Sequence, residues 1–435
     1  MISRFSITLV FLVLYPILPT YFFVAGMSAV FILEVLYSIV MIGTAGGKIS
    51  TLKTNALTVE MGLFLFVFFT VLSDFMHSES MPAIRFLFSV PIIGMVIVNE
   101  VNTEEKFIKA IEAIISCACF VAVFGIVESV TGFNIFTLLN TANVTLAEQF
   151  RLGLLRAKSF TYQSNSFGNY LMMVSALCVY RINISKTRRD MKRWSYRYAL
   201  ICVSIIFTVS RGSIVLFLLC QILLWAKLGS KNLVKKMVIL LGAIFLVYFV
   251  STVLMNKSTD LFSNFLYTIL SVFDDSMVDN ISGTSTGVAS AEGHRLLLYG
   301  WVWESIKNNL WFGKGSAATL NYKYYVGDMT YGYYETKTSI EVEILNCLFR
   351  YGIMCMIAKV FYYLSILRTA FSRNNSGYGK KKLNFGMSCA ISFAVYFISM
   401  FSVAQDTESR IFYVIVFLFL AYRKYEFCIE SDEIS

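Results

Sequence analysis

Histidine, proline and charge are what this sequence has least of. Among 435 residues there are two histidines, four prolines and only 15% charged positions. A soluble domain carries about 25% charge, so this chain cannot cover itself with a polar surface. His77 and His294 are too few to build a His/Cys metal centre, and no metal or other cofactor is expected. The nine cysteines are Cys117, Cys119, Cys178, Cys202, Cys220, Cys347, Cys355, Cys389 and Cys428. All lie in apolar runs or at the C-terminal end, which excludes a disulfide framework in the hydrophilic stretch. No nucleotide-binding loop, internal repeat or inverted pair of broken helices is visible.

What is there is apolar. Hydrophobic residues make up 57% of the chain, and the mean hydropathy is +0.67. The apolar runs reach the roughly 20 residues needed to cross about 30 Å of hydrocarbon. The first, Phe5 to Phe23, is too long for a signal-peptide core and no small-residue cleavage site follows it, so it reads as an uncleaved helix. The expected fold class is an all-α polytopic membrane protein with about 12 transmembrane helices and one large extracytoplasmic loop containing short helices. The spans fall near 5–24, 28–43, 56–72, 83–99, 107–130, 165–181, 198–210, 212–228, 236–255, 340–360, 384–404 and 410–422. Residues 1–255 hold the first nine helices, 256–339 the large loop, and 340–435 the last three helices and a tail.

The net charge of +10 does not indicate nucleic acid, because the basic residues sit in short loops between apolar runs. With a cytoplasmic N-terminus, Lys48 and Lys53, Arg181 to Arg197, Lys227 to Lys236, Arg368 to Lys382, and Arg423 with Lys424 all fall inside. That is the arrangement the positive-inside rule requires, and it leaves both termini cytoplasmic. Outside lie a medium loop, 131–164, and the large loop, 256–339. The latter contains a flexible-looking Gly/Ser/Thr stretch at Ile281–Ser290, then HRLLLYGWVWESIKNNLWFGKG, then a Tyr-rich segment, Tyr322–Tyr334. In the second of these, Trp301 shares helical faces with Leu297 and Glu304 or with Leu298 and Ser305, and its three tryptophans suit the membrane–water interface. The tyrosines serve either sugar stacking or ordinary loop packing.

Some arginines break the charge pattern by lying outside: Arg85, Arg151, Arg156, Arg211, Arg295 and Arg410. Each alone is explained by a nearby acid or by snorkelling. Together they suggest a phosphate-bearing ligand at the membrane surface, since the guanidinium fork matches phosphate oxygens. Arg211, pinned between two helices by a one-residue turn, is the strongest of them. Glu341 and Glu343 open the tenth helix, pointing in nearly opposite directions, where a helix N-terminus favours negative charge. Glu343, Asn346 and Arg350 share a face and invite a hydrogen-bonded network. Glu341 is then the freer carboxylate and the candidate general base. Glu34, in mid-membrane without an obvious partner, reads as structural.

Four stretches carry a resemblance: RAKSFTYQSNSFGNYL (156–171), TVSRGSIVLFLL (208–219), HRLLLYGWVWESIKNNLWFGKG (294–315) and SIEVEILNCLFRYGI (339–353). In order and in placement they resemble the motifs of the bacterial polysaccharide polymerase and O-antigen ligase superfamily. The ligase branch carries a histidine about eleven residues before the glycine of the last motif, where this chain has Glu341, so the resemblance favours a polymerase. His294, in the large loop, is the lesser substitute. The resemblance implies a metal-independent glycosyltransferase of the bacterial inner membrane. It would use an undecaprenyl-pyrophosphate-linked oligosaccharide, with a flippase and a chain-length regulator as further partners. It also implies that Arg211, Arg156 and Arg295 hold pyrophosphate and that Glu341 activates the acceptor hydroxyl. Arg151, Glu343, Arg350, Arg410 and His294 would then be supporting residues. The alternatives are an O-antigen ligase acting on lipid A core and, further off, a lipid-linked oligosaccharide flippase, although transporters usually show short outer loops and internal repeats.

Overall fold

The computed structural model describes residues 3–45, 57–144, 150–151, 154–228, 291–324, 333–337, 342–372, 383–401 and 407–425, with a few isolated positions between them. It is an all-α membrane protein, a bundle of antiparallel helices with, among the described residues, three small two-stranded ribbons. The helices are α1 (Arg4–Ile17), α2 (Ala29–Thr44), α3 (Leu57–Met76), α4 (Ser80–Glu100), α5 (Glu104–Thr131) and α6 (Ser164–Asn183). They continue as α7 (Arg188–Phe207), α8 (Arg211–Lys227), α9 (Ala291–Ile306), α10 (Glu343–Ser372), α11 (Phe385–Ser399) and α12 (Ser409–Tyr425). Among the described residues α3, α4, α5 and α10 are long and apolar enough to cross a membrane, and α1, α2 and α11 are shorter apolar helices. Eleven of the twelve expected spans have a helix over them; the remaining one, 236–255, falls almost entirely outside the described residues.

Local chemistry sets the ends. Thr103 caps α5 by accepting from the Lys106 amide, Glu104 and Glu105 occupy its first turn, and left-handed Gly132 (φ 78°) closes it. In α4 a π-helical turn at Phe88–Ile92 accommodates Pro91, which cannot donate to an α-helical ladder. Every residue of α6 from Ser166 to Tyr180 is buried, as a helix apolar all round must be at the centre of a bundle. Its neighbours are α5, α7, α8 and α11. Elsewhere many large apolar residues are exposed, including Leu36, Ile39, Phe64, Phe68, Phe120 and Ile357. This is the pattern of a surface that faces lipid rather than water.

The bundle has two unlike ends. One, the basic end, gathers Arg4, Arg181, Arg193, Arg197 and Lys424. There Arg4 pairs with Glu100 (2.6 Å) and Arg181 with Glu112 (2.8 Å) and Asp190 (2.9 Å). The other, the loop end, carries α9 and the turns between α3 and α4 and between α7 and α8.

At the loop end α10 departs from a continuous span. It begins at Glu343, three residues later than expected, and breaks at Gly352, whose backbone (φ 79°, ψ −178°) is not helical. The two arms fold onto one another. Cys347 and Cys355 have their sulfurs 3.9 Å apart, and Glu343 forms an ion pair with Lys359. A straight helix would separate those pairs by about 12 and 24 Å of rise. The segment Leu310–Gly315 closes over the break: Ile353 donates to the Leu310 carbonyl (2.9 Å), and Gly315 to that of Arg350 (2.8 Å). A β-carbon on Gly313 would overlap the Arg350 carbonyl, and one on Gly352 the Trp311 carbonyl. Both glycines also have left-handed φ, so close approach and conformation each require the missing side chain. Asp74 and Glu79 fix the same segment from α3 and the α3–α4 turn: the Ser316 amide donates to Asp74 (3.2 Å) and the Ala317 amide to Glu79 (2.9 Å).

The helix expected around the tryptophans is α9. Its buried face is Leu298, Val302 and Ile306, packed on Leu345 and Phe349 of α10. Trp301 flanks that face and Trp303 is exposed. The Tyr-rich segment contributes to an antiparallel ribbon, β1 (Leu320–Tyr324) with β2 (Tyr333–Lys337).

Candidate functional site

The four motif stretches meet as two pairs. In the first, Arg156 reaches the α7–α8 corner. Its Nη2 donates to Asn165 Oδ1 (3.0 Å) and its Nε to the Thr208 carbonyl (3.4 Å). Ser210 donates to the same Asn165 oxygen, and Ser213 donates to the Asn165 carbonyl (3.0 Å). Ser210 is also the N-cap of α8, accepting from the Ser213 amide. The corner comprises Thr208, Val209 and Ser210, with Val209 left-handed (φ 47°). The turn before Arg211 is therefore three residues long rather than one, and Arg211 is the first residue of α8. Gly168 on α6 lets Ser213 approach so closely that a β-carbon would overlap it.

Beside this junction lies a cavity of about 150 Å³, lined by Glu128, Asn134, Thr137, Arg156, Lys158 and Ser164, among others. Buried Glu128 organises its floor. It accepts from the amides of Lys158 (3.0 Å) and Ser159 (2.6 Å) and from Asn134 Nδ2 (2.9 Å). The carboxylate thereby holds Ser159 in left-handed backbone (φ 50°) and aims Arg156 and Lys158 at the cavity. Ser164, at the first turn of α6, is 3% exposed and its hydroxyl has no partner. A 20-residue helix starting there presents free amides and the positive end of its dipole. Lys158 Nζ donates to the Leu146 carbonyl (3.2 Å). Arg156 and Lys158 against Glu128 leave one positive charge beside the helix N-terminus and the unpaired hydroxyl, a setting that suits an anion.

The second pair, α9–Gly315 with the start of α10, backs a larger cavity of about 390 Å³ between α1, α2, α3, α4, α10 and α12. Arg85, Arg350, Lys359 and Arg410 line it together with Glu34 and Glu343. Arg410 is only 7% exposed; its Nη1 donates to the Tyr15 carbonyl (2.7 Å), which fixes it at the start of α12. Glu343 accepts from Asn346 Nδ2 (3.5 Å) beside its ion pair with Lys359. Glu34 is 1% exposed, lies in the fields of Arg85 and Arg410, and has one carboxylate oxygen without a hydrogen-bond partner.

The structure thus groups Glu343, Arg350 and Arg410 in one cavity and Arg156 in another. Arg211 stands at the α7–α8 corner and lines neither. Arg295 and His294 belong to α9 and Arg151 to a short ribbon with Leu154; the positions of their side chains lie outside the described residues, as does Glu341 entirely. Sequence reasoning set Glu34 aside as structural and passed over Lys359 and Glu128. The available signal was depth: a glutamate or lysine in the middle of an apolar run is costly to bury and tends to be functional.

The family model described as O-antigen ligase matches residues 198–360, a little over a third of the chain. Over that segment the chain is similar to the O-antigen ligase family. The matched segment runs from α7 through Lys359. It contains Arg211, Arg295, Glu341, Glu343 and Arg350, whereas Glu34, Arg85, Arg156 and Arg410 lie outside it. A search of curated proteins found no match. Members of the matched family are membrane enzymes of the glycosyltransferase kind.

Proposed function

We propose that this protein is a polysaccharide polymerase of the bacterial inner membrane. It transfers a growing glycan from undecaprenyl pyrophosphate to a sugar hydroxyl of another lipid-linked repeat unit. The observation that carries this reading is the anion-suited cavity at Arg156, Lys158 and the α6 N-terminus, joined through Asn165 to the corner that bears Arg211. On this reading the loop end faces outward and both termini are cytoplasmic. The acceptor hydroxyl oxygen attacks C1 of the donor sugar. The C1–O bond to phosphate breaks, the hydroxyl proton passes to Glu341, and the electron pair leaves on the lipid pyrophosphate, whose charge Arg156, Arg211 and Arg295 stabilise. The leaving group arrives already activated, so the step calls for no nucleotide, metal or cofactor.

Glu341, standing where the ligase branch carries histidine, favours polymerase over ligase. Deletion of the gene separates the readings. Single repeat units on the acceptor mark a lost polymerase, full-length unattached chains a lost ligase, and repeat units retained on the cytoplasmic face a lost flippase. Within the polymerase reading, Glu341→Ala should abolish chain extension while the protein still reaches the membrane. Long polymer of normal length from that strain would sink the assignment of the base.

A further inference from the structure

We propose that the first two turns of α7 bind the headgroups of anionic phospholipids, with Arg188, Arg189, Lys192 and Arg193 as the contacts. The surface lies at the basic end of the bundle, opposite both cavities, and does not depend on the polymerase reading.

Charge is the first argument. Residues 186–197 carry six cations and one acid, Asp190. That acid is engaged within the fold: it pairs with Arg181 (2.9 Å) and accepts from the Trp194 indole (2.8 Å). Glu112 of α5, which meets the same corner, is paired with Arg181 as well (2.8 Å). Arg188, Arg189, Lys192 and Arg193 are exposed.

Placement is the second argument. Arg188 and Lys192 stand four residues apart, as do Arg189 and Arg193, so like charges stack on successive turns of one helix. They do so at the N-terminal end of a 20-residue helix, where the dipole disfavours cations. The positive-inside rule is met by basic residues anywhere in the loop before a span. It does not call for cations on the stretch of helix that repels them most. Negative charge supplied from outside relieves both repulsions.

The third argument is how the surface is held. Trp194 is 1% exposed, and the guanidinium groups of Arg181 and Arg197 lie 5.0 and 4.4 Å from its ring centre. Arg197 also donates to Ser116 on α5 (2.8 Å). The inner arginines thus fasten the start of α7 to α5 and α6, and the outer four cations ride on a fixed platform. Level is the fourth argument. Tyr196, one turn beyond Lys192 on the same face, is 75% exposed, and the apolar run Ala199–Phe207 follows it. A tyrosine between charges and an apolar run marks the headgroup depth of a bilayer. The cations therefore stand where phospholipid phosphates lie, and a lipid gains from the ring and apolar flank as a soluble anion does not.

The test is native mass spectrometry of the full-length protein in detergent, with phosphatidylglycerol and phosphatidylcholine of the same acyl chains as probes. The unaltered protein should hold phosphatidylglycerol about tenfold more tightly or better, and the preference should shrink as salt is raised. The fourfold variant Arg188→Gln/Arg189→Gln/Lys192→Gln/Arg193→Gln should lose most of that preference. The variant Arg188→Lys/Arg189→Lys/Arg193→Lys should keep it, because attraction at headgroup level needs the charge and not the guanidinium fork. Without lipid, the fourfold variant should unfold at the same temperature as the unaltered protein or higher, since like charges have been removed from one helix end. A lower midpoint would overturn the proposal by showing that these cations serve contacts within the fold. An unchanged lipid preference in the fourfold variant would overturn it too, as would equally tight binding of glycerol phosphate, which marks a free-anion site. A polyglutamate peptide retained by a protein that binds the two lipids alike would mean a docking face for an acidic protein instead.

Discussion

The two motif pairs reach the same end of the bundle by opposite means. Around Arg156 the chain is held by polar side chains: Glu128 gathers two amides and an asparagine, and Asn165 ties the medium loop to the α7–α8 corner. Around Arg350 the central contact is backbone on backbone, with Gly313 and Gly352 letting two segments meet and Asp74 and Glu79 bracing one of them from the side. Hydrogen-bonding side chains set directions and can be replaced in part. A backbone-to-backbone fit has no slack, because neither partner can rotate away. Substitutions should therefore be far more damaging in the second region than in the first.

The largest effect is expected at Gly352→Ala. The new methyl group would overlap the Trp311 carbonyl, and the backbone there is one that L-residues rarely adopt. The Leu310–Gly315 segment would lift, freeing the Arg350 carbonyl and the Ile353 amide and undoing the fold-back that lets Glu343 meet Lys359. The expected outcome is complete loss of chain extension with little or no detergent-stable protein on size exclusion. Gly313→Ala should behave alike. A well-folded, active Gly352→Ala protein would show that the break is not what shapes the larger cavity.

A middle effect tests the polar region. Glu128→Gln keeps the shape but removes the charge, and its amide nitrogen would face the Asn134 donor instead of accepting from it. Hydrogen bonds to a charged group contribute about 1.5–3 kcal/mol, so a loss of about 2 kcal/mol is expected, read as a lower midpoint of thermal unfolding in detergent. Because the Lys158–Ser159 turn aims Arg156 at its cavity, polymer yield should fall more steeply than stability. An unchanged midpoint would mean that the turn is held by other contacts.

These two regions also mark how far the sequence could be read. Apolar run length placed eleven of the described helices, since spanning hydrocarbon leaves few alternatives to a helix. The motif stretches were visible too, but their pairing was not. Nothing local joins Gly313 to Gly352, and helical periodicity puts Glu343 and Lys359 well out of reach until the break folds one arm onto the other. Glu34 read as unpartnered because its neighbours come from α1, α4 and α12: Tyr15, Arg85 and Arg410. The tryptophan helix was recognised, and its buried residues Leu298, Val302 and Ile306 are selected by the shape of α10, not by the interfacial preference of tryptophan.

The smallest effect is expected at Ser210→Ala, and it sharpens the comparison most. Ser210 is buried, caps α8 through the Ser213 amide, and donates to Asn165 Oδ1. Losing a cap costs about 1 kcal/mol. Asn165 Oδ1 would still accept from Arg156 Nη2, so the Ser213 amide that Ser210 capped is the group that loses its acceptor. The network should therefore tolerate the change: a shift of about 1 kcal/mol in stability and only a few-fold drop in chain extension, measured on polymer ladders. An alanine is thus introduced at two corners of the same end, one made of hydrogen bonds and one made of glycines. If Ser210→Ala proved as damaging as Gly352→Ala, the distinction between a redundant polar junction and a backbone fit would fail, and the corner before Arg211 would have to be as exacting as the break after Arg350.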